Sequence, residues 1–61
     1  MTITREKAII LLEEVEYRIE SNLADMRTEY RFGNIEKGNF YREKAAKYLD
    51  LKRRIEVALN S

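Results

Sequence analysis

Residues 33–39, Gly-Asn-Ile-Glu-Lys-Gly-Asn, contain both glycines of a 61-residue chain that has no proline. Gly33-Asn34 is typical of a helix end, because glycine adopts the left-handed C′ conformation without a Cβ penalty. Asn39 suits the N-cap of a second helix, since its side chain can accept a hydrogen bond from the first turn. We therefore predict a turn over residues 33–39 with a helix on either side.

The first predicted helix covers about residues 4–32. Thr4 suits its N-cap, and Glu6 lies in the first turn, where the helix dipole favours an anion. Apolar side chains recur every three or four residues, which is the pattern of one helical face. This stripe consists of Ala8, Leu12, Val15, Ile19, Leu23, Met26 and Tyr30.

The second predicted helix covers about residues 40–59 and has an apolar stripe at the same spacing. The stripe consists of Tyr41, Ala45, Tyr48, Leu51, Ile55, Ala58 and Leu59. Because the connection is short, the two helices are expected to be antiparallel neighbours. The sequence thus predicts one all-α domain, residues 1–61, folded as an antiparallel two-helix hairpin.

Self-association is the expected source of additional stability. A domain of this size buries only ~60% of the surface of its unfolded chain, and small scaffolds usually need a disulfide, a metal or oligomerisation. The chain has no cysteine and no histidine, which excludes disulfides and thiolate or imidazole metal sites. We expect two hairpins to dimerise into a four-helix bundle, with a monomer as the alternative.

The predicted register gives a second reason for self-association. If Phe32 is level with Phe40 across the turn, residues 3–11 have no partner in the second helix. This overhang includes most of the longest apolar run of the chain, residues 8–12, which a monomer would leave in water. At roughly 25 cal/mol per Å², covering a few such side chains is comparable to the whole stability of a small domain.

The predicted protein interface combines this overhang with apolar residues on the outer sides of both helices. Ile10, Tyr17 and Ala24 are seven residues apart, which puts them on the side of the first helix opposite the main stripe. The other interpretation is that isolated apolar residues on a surface are ordinary. The predicted interface residues are Ile3, Ile9, Ile10, Leu11, Tyr17, Ala24, Leu49 and Val57.

Most catalytic sites cannot be built from this composition. Without His or Cys, the usual general base, thiol nucleophile and zinc ligands are absent. Gly33 and Gly38 do not have the spacing of a phosphate-binding loop. Glu13, Glu16 and Glu20 line one edge of the first helix, where a solvated face or an ion-pairing rim is a better interpretation than an acid–base pair. We expect no enzyme activity, no cofactor and no metal site.

A nucleic-acid surface on the second helix is an alternative. Residues 40–61 carry six basic and three acidic side chains, and phosphate contacts need several cations on one face. Some can instead pair within the helix, such as Glu43 with Lys47 and Asp50 with Arg54. The candidate residues are Arg42, Lys44, Lys47, Lys52, Arg53 and Arg54.

The aromatic side chains could stack on bases of a single strand. However, Tyr30, Tyr41 and Tyr48 fall on the inward stripes, which favours a role in the core. Phe32 and Phe40 flank the turn and are expected to close that end of the core. The chain also lacks an apolar run near the ~20 residues that span a bilayer, so we expect no membrane association and a cytoplasmic location.

Two resemblances extend these expectations. In architecture the predicted hairpin resembles the Rop family, whose hairpins dimerise into four-helix bundles. From Met1-Thr-Ile-Thr-Arg-Glu-Lys-Ala8 to Ala58-Leu-Asn-Ser61, the chain resembles the small early-region proteins of lambdoid bacteriophages, encoded between the exonuclease and excisionase genes. Length, charge density and the absence of Cys and His carry this resemblance.

The second resemblance implies a regulatory early protein in the host cytoplasm, which adjusts host physiology or the choice between lysis and lysogeny. The first hypothesis is therefore a small non-enzymatic regulatory homodimer that binds a host or phage protein. The alternatives are a nucleic-acid-binding accessory protein that uses the second helix and a structural subunit of a larger assembly.

Overall fold

The computed structural model describes residues 4–60 as two helices, α1 (Arg5–Arg31) and α2 (Ile35–Asn60). The helices pack against each other as an antiparallel hairpin that measures 43 × 16 × 14 Å. The predicted all-α hairpin is therefore confirmed. Within the described residues, neither helix is long and apolar enough to cross a membrane.

The start of α1 follows the sequence prediction. The Thr4 hydroxyl accepts a hydrogen bond from the backbone N–H of Lys7 (3.2 Å), and Glu6 occupies the first turn. This bond satisfies one of the backbone donors that a helix start leaves without an intrahelical partner. α1 then continues to Arg31 without a break.

A Schellman motif ends α1 and keeps the connection short. Gly33 has a φ of +80°, and its N–H donates to the Tyr30 carbonyl oxygen (3.1 Å). The N–H of Asn34 donates to the Glu29 carbonyl oxygen (2.8 Å), and the Asn34 amide also donates to the Glu29 carboxylate (2.8 Å). These bonds satisfy carbonyls that the helix end would otherwise leave unpaired, and they confirm the predicted helix stop at Gly33.

The predicted turn over residues 33–39 and the predicted N-cap at Asn39 are wrong. α2 begins at Ile35, and the Asn34 carbonyl oxygen already accepts the N–H of Gly38 (2.9 Å). Gly38 is a buried residue inside α2, against the ring of Tyr30. The second glycine therefore allows close packing and does not end a helix.

The core lies along the seam between the helices. Ala8, Val15, Ile19 and Ile55 form a buried cluster, and half-buried Leu12, Leu23, Tyr48 and Leu59 pack against it. The predicted stripe of α1 is confirmed, because all its members are buried or half-buried. The predicted stripe of α2 is wrong at Leu51 and Ala58, which are exposed.

The predicted register is also wrong. Nη1 of Arg5 donates to the Leu59 carbonyl oxygen (3.4 Å), and the Arg18 guanidinium lies over the Tyr48 ring. The numbers of level residues thus sum to about 65, which shifts α2 by about two helical turns from the predicted pairing. Ala8 is buried in the core, so the described part of the expected overhang at residues 3–11 is paired with α2.

Candidate interaction surfaces

Two cross-helix contacts define the two broad faces of the hairpin. On one face, Tyr30 passes over Gly38 and its hydroxyl donates to Oδ1 of Asn39 (2.5 Å). On the opposite face, the Arg18 guanidinium lies 6.0 Å from the ring centre of Tyr48. We call these surfaces the Tyr30 face and the Arg18 face. At 100° per residue, a helix returns to nearly the same side every seven residues, so other residues can be assigned to each face.

The Tyr30 face carries exposed apolar side chains on both helices, interrupted on α1 by Glu16. Steps of seven from Tyr30 along α1 lead to half-buried Leu23, exposed Glu16 and exposed Ile9. On α2, Leu49 lies one turn beyond the buried Ala45 and is 47% exposed. Ile9 is 41% exposed. Apolar surface is therefore left uncovered on both helices of this face.

The Tyr30 face carries charges of both signs on each helix. On α1, Glu13 and Glu20 share a line with Arg27, and on α2, Arg42 and Arg53 are accompanied by Glu56. Among residues 4–60, none of these six side chains takes part in an ion pair or a side-chain hydrogen bond. Their charges are thus free to meet another molecule.

The Arg18 face has a different charge pattern. Arg18 binds Glu14 (3.1 Å), and the hydrogen bond to that carboxylate, with a smaller contribution from Tyr48, raises the pKa of Arg18 above its ordinary value. Leu11 is seven residues before Arg18 and remains exposed. The adjacent edge of α2 is a basic stripe with a spacing of three and four residues. Its members are Lys37, Phe40, Lys44, Lys47, Leu51, Arg54 and Ala58.

Two cations of the basic stripe already have partners within α2. The ammonium group of Lys44 lies 5.3 Å from the ring centre of Phe40, and Arg54 pairs with Asp50 (3.1 Å). Of the pairs that we predicted within α2, Asp50–Arg54 is therefore confirmed. The Phe40 ring also makes an edge contact with Tyr41 (5.4 Å between centres).

The predicted protein-interface residues do not form one patch. Ile10, Tyr17 and Ala24 lie on the back of α1, away from α2, and Tyr17 is 71% exposed. Val57 lies on the back of α2. Ile9 and Leu49 share the Tyr30 face, whereas Leu11 belongs to the Arg18 face. Ile3 lies outside the described residues.

The predicted nucleic-acid residues are likewise distributed around α2. Arg42 and Arg53 belong to the Tyr30 face, and Lys52 is half-buried on the inner side. The remaining members, Lys44, Lys47 and Arg54, belong to the basic stripe. Sequence reasoning missed Lys37 because it placed this residue in the turn, although its spacing of seven from Lys44 indicates the shared edge.

The turn does not close the core with aromatic rings as predicted. Phe32 is 74% exposed, and Phe40 also points largely to solvent. The shallow depression at the turn is lined by Asn34, Ile35, Glu36 and Lys37, and within residues 4–60 no three metal-binding side chains are grouped. The features that stand out are therefore the exposed surfaces of the two helices.

Comparison of the chain with protein-family models, with curated proteins and with solved structures finds no match.

Proposed function

We propose that this protein acts by binding other polypeptides, and that it first associates with itself as a homodimer of hairpins. The supporting observation is its surface area. The chain exposes 5214 Å², whereas a folded monomer of 7.3 kDa is expected to expose about 4,200 Å². The excess, about 1,000 Å², is close to the ~800 Å² that each partner buries in a standard protein interface.

The composition of the exposed surface supports the same proposal. Ten large apolar side chains are exposed, whereas five apolar residues are buried. Among residues 4–60, much apolar surface is therefore left uncovered beside a small buried cluster. Pairing two hairpins as a four-helix bundle would bury part of this surface and leave the rest for a partner.

The proposed role is regulatory and non-enzymatic. The chain has no His or Cys, and the depression at the turn, lined by Asn34, Ile35, Glu36 and Lys37, is open to solvent. The resemblance to early-region proteins of lambdoid bacteriophages supports a role after infection, with a host or phage protein as the partner. The back stripe of α1, Ile10, Tyr17 and Ala24, is the surface that we assign to that partner.

Sedimentation equilibrium over a concentration series tests self-association. We expect a species of about twice the chain mass, which dissociates on dilution. A monomer at every concentration up to the millimolar range would contradict the proposal. The variant Ile10→Glu/Tyr17→Glu, which changes the back stripe alone, should remain folded by circular dichroism and keep its self-association.

A second candidate function is nucleic-acid binding through the basic stripe. The favouring observation is that Lys37, Lys44, Lys47 and Arg54 share one edge of α2. Binding through phosphate contacts would weaken steeply with salt, and loss of each contact would reduce that salt dependence. Fluorescence anisotropy with a labelled DNA duplex and a single-stranded RNA at low salt tests it. Lys44→Glu/Lys47→Glu should abolish any such binding.

A further inference from the structure

We infer that the polypeptide partner of this protein presents a basic amphipathic helix, which packs along the back of α1. The contact surface is the back stripe, Ile10, Tyr17 and Ala24, together with the carboxylates that border its centre. The inference rests on the proposed binding of a partner through the back stripe, and it adds the chemical class of that partner.

The spacing of the back stripe fits a helix as the occupant. Its members are seven residues apart on a helix without a break, so an apolar contact recurs about every 10.5 Å. Two turns of a second helix repeat over nearly the same distance. An extended strand repeats its side chains on one face about every 7 Å, so it would fall out of step with the stripe after one contact.

Tyr17 gives this surface a large anchor. It is 71% exposed, and Ile10 is 65% exposed. Because α2 packs on the opposite side of α1, no part of the described chain covers these two side chains. Tyrosine is enriched among the residues that contribute most of the binding energy at protein interfaces, so a helix laid along the stripe gains its main apolar contact here.

Carboxylates surround Tyr17. On a helix surface its neighbours are the residues three and four positions away, which are Glu13, Glu14, Glu20 and Ser21. Glu14 binds Arg18 (3.1 Å), so its charge is compensated. Glu13 and Glu20 form no ion pair within residues 4–60, and neither does Glu16, which lies between them. The centre of the stripe is therefore bordered by a row of three carboxylates whose charges are not compensated.

The cations that adjoin the back stripe lie at its two ends. Lys7 is three residues before Ile10, and Arg27 is three residues after Ala24. A helix with lysine or arginine beside its central apolar residue thus meets opposite charges where the contact is closest. An acidic helix, a nucleic acid or an anionic bilayer would bring like charges to the same place, which is unfavourable.

A second copy of the chain is a poor occupant of this surface. Two back stripes packed in parallel would place Glu13 and Glu20 against the same carboxylates of the second copy. Packed antiparallel about Tyr17, they would place Glu20 against Glu14 of the partner subunit. The back of α2 does not fit either, because Val57 there shares a seven-residue line with Asp50 and Glu43.

Three labelled synthetic peptides of about 20 residues, long enough to cover the stripe, test the inference by fluorescence anisotropy. The first has leucine at every seventh position with lysine on either side. The second replaces each lysine by glutamate, and the third has the composition of the first in an order that is not amphipathic. The first should bind at least about tenfold more tightly than the other two. Measurement near 0.15 M salt screens charges beyond about 8 Å.

Reversing the charge beside the stripe tests the electrostatic part. Glu13→Lys/Glu20→Lys should weaken binding of the lysine peptide at least about tenfold and strengthen binding of the glutamate peptide. The matched control is Glu43→Lys/Glu56→Lys, which makes the same change of net charge on α2 and should leave both affinities nearly unchanged. Circular dichroism establishes that each variant is folded. Equal effects of the two variants would overturn the inference.

Ile10→Ser/Tyr17→Ser removes the apolar contacts without adding charge, and it separates this inference from the proposed function. Binding of the lysine peptide should fall at least about tenfold, and an unchanged affinity overturns both the inference and the assignment of the back stripe to a partner. A glutamate peptide that binds the unchanged chain more tightly, and loses that affinity in this variant, overturns the inference alone. Absence of any preference for the lysine peptide also overturns the inference alone, because sedimentation tests self-association independently.

Discussion

The ring of Tyr30 lies against the backbone of Gly38, in the space that any larger side chain at that position would fill. Its hydroxyl donates to Oδ1 of Asn39, so the ring crosses from α1 to α2 just beyond the turn. A glycine inside a helix is about 1 kcal/mol less favourable than alanine. Here the close approach of the two helices explains why the glycine is present.

Gly38→Ala should therefore destabilise the hairpin, although it improves helix propensity. A Cβ at this position would overlap the ring carbons of Tyr30, so the ring must swing away and lose its packing and its hydrogen bond. We expect the free energy of unfolding to fall by about 1–3 kcal/mol, measured by urea denaturation at fixed protein concentration. In a Tyr30→Ala background the same substitution should instead stabilise by about 1 kcal/mol. A stabilised single variant would contradict the packing argument.

A pair of valines separates the core from the surface. Val15 is 2% exposed and Val57 is 62% exposed, so Val15→Ala removes buried methyl groups and leaves a cavity. We expect it to lower the free energy of unfolding by about 2 kcal/mol. Val57→Ala should change the free energy of unfolding by less than about 0.5 kcal/mol. Equal effects would mean that Val57 is covered in solution and would contradict its exposed position on the back of α2.

The sequence predicted the core of α1 well because one strong signal determines it. Ala8, Val15 and Ile19 follow a clear helical period, and no residue before Gly33 interrupts it. The N-cap at Thr4 and the helix stop at Gly33 could also be predicted, since local backbone hydrogen bonds determine both.

The register was predicted wrongly because nothing in the local sequence shows that Gly38 packs against the Tyr30 ring inside α2. A glycine four residues after Asn34 reads locally as a second break, and only the Tyr30 ring across the turn explains its place inside α2. Misplacing the start of α2 then shifted the pairing by about two turns. That shift produced the expected overhang, and it also removed Lys37 from the candidate basic residues.

Gly33→Ala tests the turn without changing any packing. The φ of Gly33 is +80°, and a Cβ there would meet no atom within 4 Å. The expected loss is therefore backbone strain alone, about 1–2 kcal/mol. Gly33→Asn should lose less, because asparagine tolerates the left-handed region. Thermal unfolding of the two variants measures this order. An equal loss for Gly33→Ala and Gly33→Asn would contradict backbone strain as the cause.

Asn22, a buried polar residue in the middle of α1, allows the sharpest test of the core. Its Nδ2 donates to the Arg18 carbonyl oxygen (2.8 Å), which also accepts the Asn22 backbone N–H in a regular helix. Asn22→Leu thus leaves no unpaired acceptor, and we expect it to raise the free energy of unfolding by about 1 kcal/mol.

Asn22→Asp is the matched opposite of that change. An ionised carboxylate at this position would be buried beside the Arg18 carbonyl oxygen, and burial would raise its pKa above the value in the unfolded chain. Because a raised carboxyl pKa means that the folded state holds the proton more tightly, the variant should be least stable at high pH. Its stability should recover as the pH falls and the protonated group donates to the carbonyl oxygen. Urea denaturation between pH 4 and 8 measures the difference from the unchanged chain, and a difference that does not vary with pH would mean that residue 22 reaches solvent.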